Sequence, residues 1–168
     1  MLFFFCILVV SKHTGGLNKV LKKIIAAMAM TIILSSLFTT MGDKAEAAYY
    51  HTKAISVAKA NIGVPYRWGG ITSKGFDCSG LVKYSYGKAG KVLPRTAAEM
   101  YYKKGYRVKS LKAGDLMFFA PNKASRPSHV AIYIGGGKMI QSSSSKGVSI
   151  AYTSNSYWKP RFIGAKRF

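Results

Sequence analysis

What most constrains this chain is a change of pattern near residue 105. Upstream, apolar residues recur at helical spacing between glycine and proline stops. Downstream, short runs rich in β-branched and aromatic residues follow one another closely: DLMFFA at 115–120, HVAIYI at 129–134, KMIQS at 138–142 and VSIAY at 148–152. Glycines at 135–137 and a serine-rich loop at 142–146 separate the last three, links too short for the crossover that parallel strands need. Helices first and strands second, with short connections, give an α+β fold with an antiparallel sheet. The glycine run is no phosphate loop, because no helix follows it and no Lys-Ser/Thr pair accompanies it. No internal repeat and no separate binding module is visible.

In the helical half, residues 52–61 read as a short helix with Ile55, Ala58 and Ile62 on one face and Gly63 as its stop. His51, just before it, is set aside as part of a fraying end. VPYRWGG at 64–70 is a loop delivering two aromatic rings. In GFDCSGLVKYSY at 75–86, Asp77 is a good N-cap and Leu81, Val82 and Ser85 share one helix face, which places Cys78 in the first turn. There the unpaired N–H groups and the helix dipole favour a thiolate over a thiol. Thr96-Ala97-Ala98-Glu99 is a capping box that opens a further helix to Lys104, with Gly105 as its C′ residue.

The first 47 residues are of another kind. Residues 17–23 carry three lysines, residues 24–41 are apolar or small throughout, and AEAA at 45–48 is a small-residue pattern of the type that signal peptidases cut. The expected organisation is a secretory signal segment at 1–47 and one domain at 48–168, with cleavage after Ala47 or Ala48. An uncleaved membrane anchor competes, since residues 24–41 could just span a bilayer. A second apolar run at 2–10 exceeds what a signal needs, and residues 1–16 fit either an over-extended start or a two-part n-region.

The formal charge is +21, and the leading segment holds five of the 26 basic and two of the five acidic residues. The remaining domain keeps 21 against three, a net +18 that attracts polyanions. For an exported protein these are anionic wall polymers or lipid headgroups. Its lysines are scattered singly with no nucleic-acid motif among them, so nucleic acid is not expected as a partner. One cysteine, two histidines and three acids remain beyond residue 47, without zinc-type spacing, and neither a metal nor another cofactor is expected.

A single thiol in an oxidising compartment is a liability unless it is used. Cys78 alone reads equally as a buried small hydrophobe or as a nucleophile, and the choice depends on a base. His129 opens the strand HVAIYI, where it can face a cleft while the strand stays buried; by itself it reads as a hydrogen-bonded surface histidine. Together they make a nucleophile and general base, and the base needs a third polar group to fix its tautomer. Gln141 lies on the next strand with Ile140 and Ser142 facing the other way, so it can project beside His129; a solvent-facing glutamine is the alternative.

PYRWGG, FDCSGLVKYSY, LPRTAAEMY, AGDLMFF and SHVAIYIGGGKMIQ, in this order, resemble the NlpC-type cell-wall cysteine peptidases over about residues 55–162. The resemblance implies a papain-like fold with the cysteine helix packed on the antiparallel sheet. It implies Cys78 as nucleophile, His129 as base and Gln141 in the orienting place, most often histidine in the family. Tyr66, Asp77 and Ser79 match positions that meet the substrate, Asp77 receiving the amine of an N-terminal L-alanine. Ala97 stands where some members carry a substrate-contacting serine. The expected protein is a secreted, wall-associated, monomeric endopeptidase that cuts peptidoglycan stem peptides, typically between D-γ-glutamyl and a diamino acid, and meets the membrane only during export. A Cys-His peptidoglycan amidase and a catalytically silent cationic wall-binding module are the alternatives.

Overall fold

The sheet that the strand runs build has six strands, and the computed structural model describes it with residues 19–121 and 126–168. Met1–Ala45 and Glu46–Phe168 form two compact units. The apolar run at 2–10 lies outside the described residues, and no described helix is long and apolar enough to cross a membrane.

Helix α1 spans Lys19–Ala60, a hairpin of β1 (Ile71–Thr72) and β2 (Gly75–Phe76) follows, and then come α2 (Cys78–Lys88) and α3 (Ala97–Lys103). The strands are β3 (Tyr106–Val108), β4 (Leu116–Phe119), β5 (His129–Gly135), β6 (Lys138–Ser143), β7 (Gly147–Tyr152) and β8 (Phe162–Arg167), ordered β3-β8-β4-β5-β6-β7 and antiparallel throughout.

Alternation along the strands feeds two cores. Leu116, Phe118, Val130, Ile132 and Ile140 pack with Leu81, Val82 and Tyr86 of α2 and Met100 of α3. Met117, Phe119, Ala131 and Met139 point the other way into a smaller cluster completed by Trp158. With both faces covered, β4 and β5 read as unbroken apolar runs rather than as alternating ones.

Three expectations need correction. The helix expected at 52–61 begins far earlier, at Lys19, and Ile62 is exposed beyond its end rather than on its buried face. His51 is not part of a frayed end: it is buried against the Gly114 turn, where a Cβ on Gly114 would come within 2.5 Å of it. The neighbouring Tyr50 hydroxyl donates to the carbonyl of Phe168, tying the helix to the C-terminus. Finally, the sheet is larger than the four runs read from the sequence, since β3 and β8 join it. β8 lies inside the sheet, paired with β3 and β4, where Arg167 makes a two-bond ion pair with fully buried Asp115 (2.7 and 2.8 Å) and Lys166 donates to the Tyr101 carbonyl at 2.6 Å.

Candidate active site

Cys78 is the first residue of α2. Asp77 caps the helix with extended backbone, its carboxylate accepting from the Gly80 N–H at 2.6 Å. Glycine at position 80 is a packing necessity, since a Cβ there would lie 2.0 Å from the Gly70 carbonyl oxygen. That carbonyl accepts from the Asp77 N–H at 3.0 Å, which clamps the first turn of α2 onto the loop carrying Tyr66 and Trp68. The thiol is buried, with Sγ 3.8 Å from the Ser128 carbonyl oxygen.

His129 starts β5 on the opposite face of the sheet from the large core. Its Nε2 is 2.6 Å from Gln141 Oε1. An amide oxygen only accepts, so Nε2 carries the proton and Nδ1 keeps the lone pair. Trp158 stacks on the imidazole, ring centroids 4.3 Å apart and planes 21° from parallel. The Asn155 side chain holds Trp158 in place by accepting from the backbone N–H groups of Tyr157 (2.9 Å) and Trp158 (3.3 Å). Phe119 packs against both rings, edge-on to Trp158 and tilted against His129.

These groups line one cavity of about 730 Å³, with Tyr66 and Trp68 at one wall and Gln141, Tyr157 and Trp158 at another. The thiol and the imidazole share it without a direct hydrogen bond among the described residues; the thiol is directed at the residue before the histidine.

Charge is arranged unevenly. Burial pushes the Cys78 thiol up, outweighing the help of the Val130 and Ser79 amides. The N–H groups at the helix start favour the thiolate, as expected, but removing the sulfur from water costs the anion more. Burial likewise lowers His129 to about 4, although the Gln141 contact favours its charged form. The resting pair is thiol and neutral imidazole.

Asp77 and Ser79 are brought together, the Ser79 hydroxyl donating to Asp77 Oδ1 at 3.1 Å, and a third residue braces both. Arg95 donates from Nη1 to Asp77 Oδ1 (3.2 Å) and to the Ser79 hydroxyl (3.0 Å), and pairs through Nη2 with Asp77 Oδ2. Burial pushes the Asp77 carboxyl up, yet the bonds from Arg95, Gly80 and Ser79 together hold it below its usual value. An incoming amine at Asp77 would share the carboxylate with Arg95. Tyr66 stands half-buried beside them, its hydroxyl held protonated by burial and by its Cys78 and Asp77 neighbours.

Sequence reasoning missed Arg95 and Trp158. A capped aspartate among so many cations had to find one of them, but nothing in the pattern chose Arg95. For Trp158 the only signal was Asn155, a turn former two residues ahead of an aromatic pair.

A helix-borne cysteine packed on an antiparallel sheet, opposite a strand-borne histidine with an amide behind it, defines the papain-like α+β class. The particular family follows from comparison: residues 63–167 match the NlpC/P60 family model, and the chain belongs to that family. It is 47% identical over 117 residues to the probable peptidoglycan endopeptidase LytE of Bacillus subtilis, covering 70% of this chain and 34% of that protein. It is 42% identical over 128 residues to the gamma-DL-glutamyl hydrolase of the same organism, covering 74% of this chain and 31% of that one. A crystal structure of an NlpC/P60 family protein from Bacillus cereus superposes with a TM-score of 0.66 at 34% identity, covering 70% of this chain and 40% of that one. The match spans about a third of each of these two Bacillus subtilis relatives.

Proposed function

We propose that the domain is a cysteine endopeptidase of peptidoglycan stem peptides, with Cys78 as nucleophile, His129 as base and Gln141 as the group that orients it. The observation that carries this is the cavity that holds a thiol at a helix start and an imidazole whose Nε2 is committed to Gln141, leaving Nδ1 to accept a proton. Sγ attacks the substrate carbonyl, the thiol proton passes to Nδ1, and the developing oxyanion sits near the backbone N–H of Cys78. His129 then protonates the departing amine, leaving a thioester on Cys78. Water, deprotonated by the same imidazole, releases the acid.

The bond cut in this reading joins a D-γ-glutamyl residue to a diamino acid. Similarity to the gamma-DL-glutamyl hydrolase of Bacillus subtilis supports the γ-glutamyl part of that choice. Tyr66, Asp77 and Ser79, braced by Arg95, receive the acyl half, the Asp77 carboxylate meeting the free amine of an N-terminal L-alanine. In the same reading the segment before residue 48 is removed on export and the domain acts as a monomer in the wall.

Its carboxylates are all engaged, Asp77 by Arg95, Glu99 by Lys103 and Asp115 by Arg167, so the surplus cations are left for anionic wall polymers. The deciding experiment is mass spectrometry of purified muropeptides incubated with residues 48–168, wild type and Cys78→Ser. Cleavage after D-glutamyl by the wild type alone is expected. Release of the intact stem from the sugar would replace this reading with an amidase. No cleavage by the wild type would favour a wall-binding role.

A further inference from the structure

The cavity is larger than the catalytic groups need, and its far wall is built by the turn between β6 and β7. Lys146 sits in that turn. Among the described residues lining the cavity it is the sole formal charge, since His129 is neutral and no carboxylate lines the space. Three other cations are occupied elsewhere: Arg95 holds Asp77, Arg161 lies over the Tyr157 ring and donates to the Tyr157 and Pro121 carbonyls, and Lys138 lies over Tyr152. Lys146 is exposed and has no ion pair among the described residues.

The turn is fixed to the opposite wall. Gly147 adopts φ +62°, and a Cβ there would lie 2.4 Å from the Val64 carbonyl oxygen. The Val148 N–H donates to that same oxygen at 2.9 Å, and the Gly63 N–H donates back to the Val148 carbonyl at 2.9 Å. Beneath, the buried Ser142 hydroxyl donates to the Phe76 carbonyl at 2.8 Å. The strand that follows Lys146 is thereby locked to the loop that carries Tyr66 and Trp68, which fixes the backbone from which Lys146 lines the cavity.

We propose that Lys146 is a specificity-determining residue that recognises a substrate carboxylate close to the scissile bond. The proposal rests on the peptidase reading above. It adds that the enzyme distinguishes substrates by whether this carboxylate is free or amidated. Two substrate groups share the chemistry: the α-carboxylate of the D-glutamyl residue on the acyl side, and the carboxylate of the diamino acid on the leaving side. An amide in either place keeps the shape but removes the charge, and a lysine ammonium gains far less from an amide oxygen than from a carboxylate.

The test is a cycle of enzyme and substrate changes. Four synthetic stem peptides are used, each carboxylate being acid or amide independently, with wild type, Lys146→Gln, Lys146→Glu and Lys146→Arg. Amidating the recognised carboxylate should lower wild-type kcat/KM about tenfold, in the range of a lost charge-assisted hydrogen bond. Lys146→Gln should lower the acid substrate by the same factor and leave the amide unchanged. Lys146→Glu should prefer the amide, and Lys146→Arg should stay close to wild type. The arm whose amidation cancels the effect of Lys146→Gln identifies the carboxylate. Equal loss on all four peptides, or none, overturns the proposal. Binding of the same peptides to Cys78→Ser and Cys78→Ser/Lys146→Gln by calorimetry separates the two readings. A Lys146-dependent preference for acid over amide, without turnover by the wild type, would keep this site and remove the peptidase assignment. Equal binding by both proteins would remove the site whatever the turnover.

Discussion

The two faces of the sheet hold Cys78 and His129 by different means. On one face, Cys78 belongs to a large apolar core: α2 drives Leu81, Val82 and Tyr86 against Phe118, Val130 and Ile132, all fully buried. On the other, His129 stands in a small cluster of Met117, Phe119, Ala131 and Met139, finished by Trp158 from a loop. Cys78 is thus placed by the same contacts that fold the domain. His129 is placed by a few contacts, with Phe119, Gln141 and Trp158. Damage to the first face should appear as lost stability, and damage to the second as lost rate with the fold kept.

The largest expected effect lies where the faces meet. Cys78→Ser should lower turnover by about 10³-fold or more, as removal of a nucleophile does, with the melting temperature nearly unchanged. Full activity in this variant, or indifference to a thiol alkylator, would break the assignment of the pair.

Next comes the contrast between the cores. Leu81→Ala removes a fully buried side chain from the large core and should cost about 2–5 kcal/mol in denaturant unfolding, with kcat per folded molecule close to wild type. Trp158→Ala should do the reverse, lowering kcat about tenfold or more through a misplaced imidazole while unfolding shifts little. If Leu81→Ala lowered kcat as strongly as Trp158→Ala at full folding, the division between faces would be wrong.

A smaller effect is expected at Gln141. Gln141→Ala should lower kcat several-fold and more than it raises KM, because the tautomer of His129 loses its partner. Gln141→His should retain activity. Wild-type kinetics in Gln141→Ala would put the orienting group elsewhere.

The least visible effect is in the pH profile. With His129 at about 4 in the folded protein and near the ordinary 6.5 when unfolded, the unfolded state binds more protons between those values. Stability from this group is present above about pH 6.5 and declines as pH falls towards 4. The acid limb of kcat/KM should also lie near 4, well below an ordinary histidine, since neutral imidazole is the active form. The raised thiol adds no limb near neutrality. A limb at 6.5 or above, measured where the protein is still folded, would mean a resting thiolate–imidazolium pair instead.

By itself the sequence determined the elements whose signals are local. The Asp77 cap, the Thr96–Glu99 capping box and the apolar runs that became β4 to β7 each follow from side chains a few residues apart. Alternation along β6 was enough to turn Gln141 to the side of His129, because side-chain direction in a strand has period two. The tertiary structure alone decided what depends on distant partners. It paired β8 with β3 and β4 and buried His51 under the Gly114 turn. It chose Arg95 from many cations to hold Asp77 and brought Trp158 onto His129 across the sheet. It also decided the net sign of the Cys78 shift. A helix terminus can be read in six residues, but the water that a thiolate loses depends on everything packed around it, and that is a property of the folded chain.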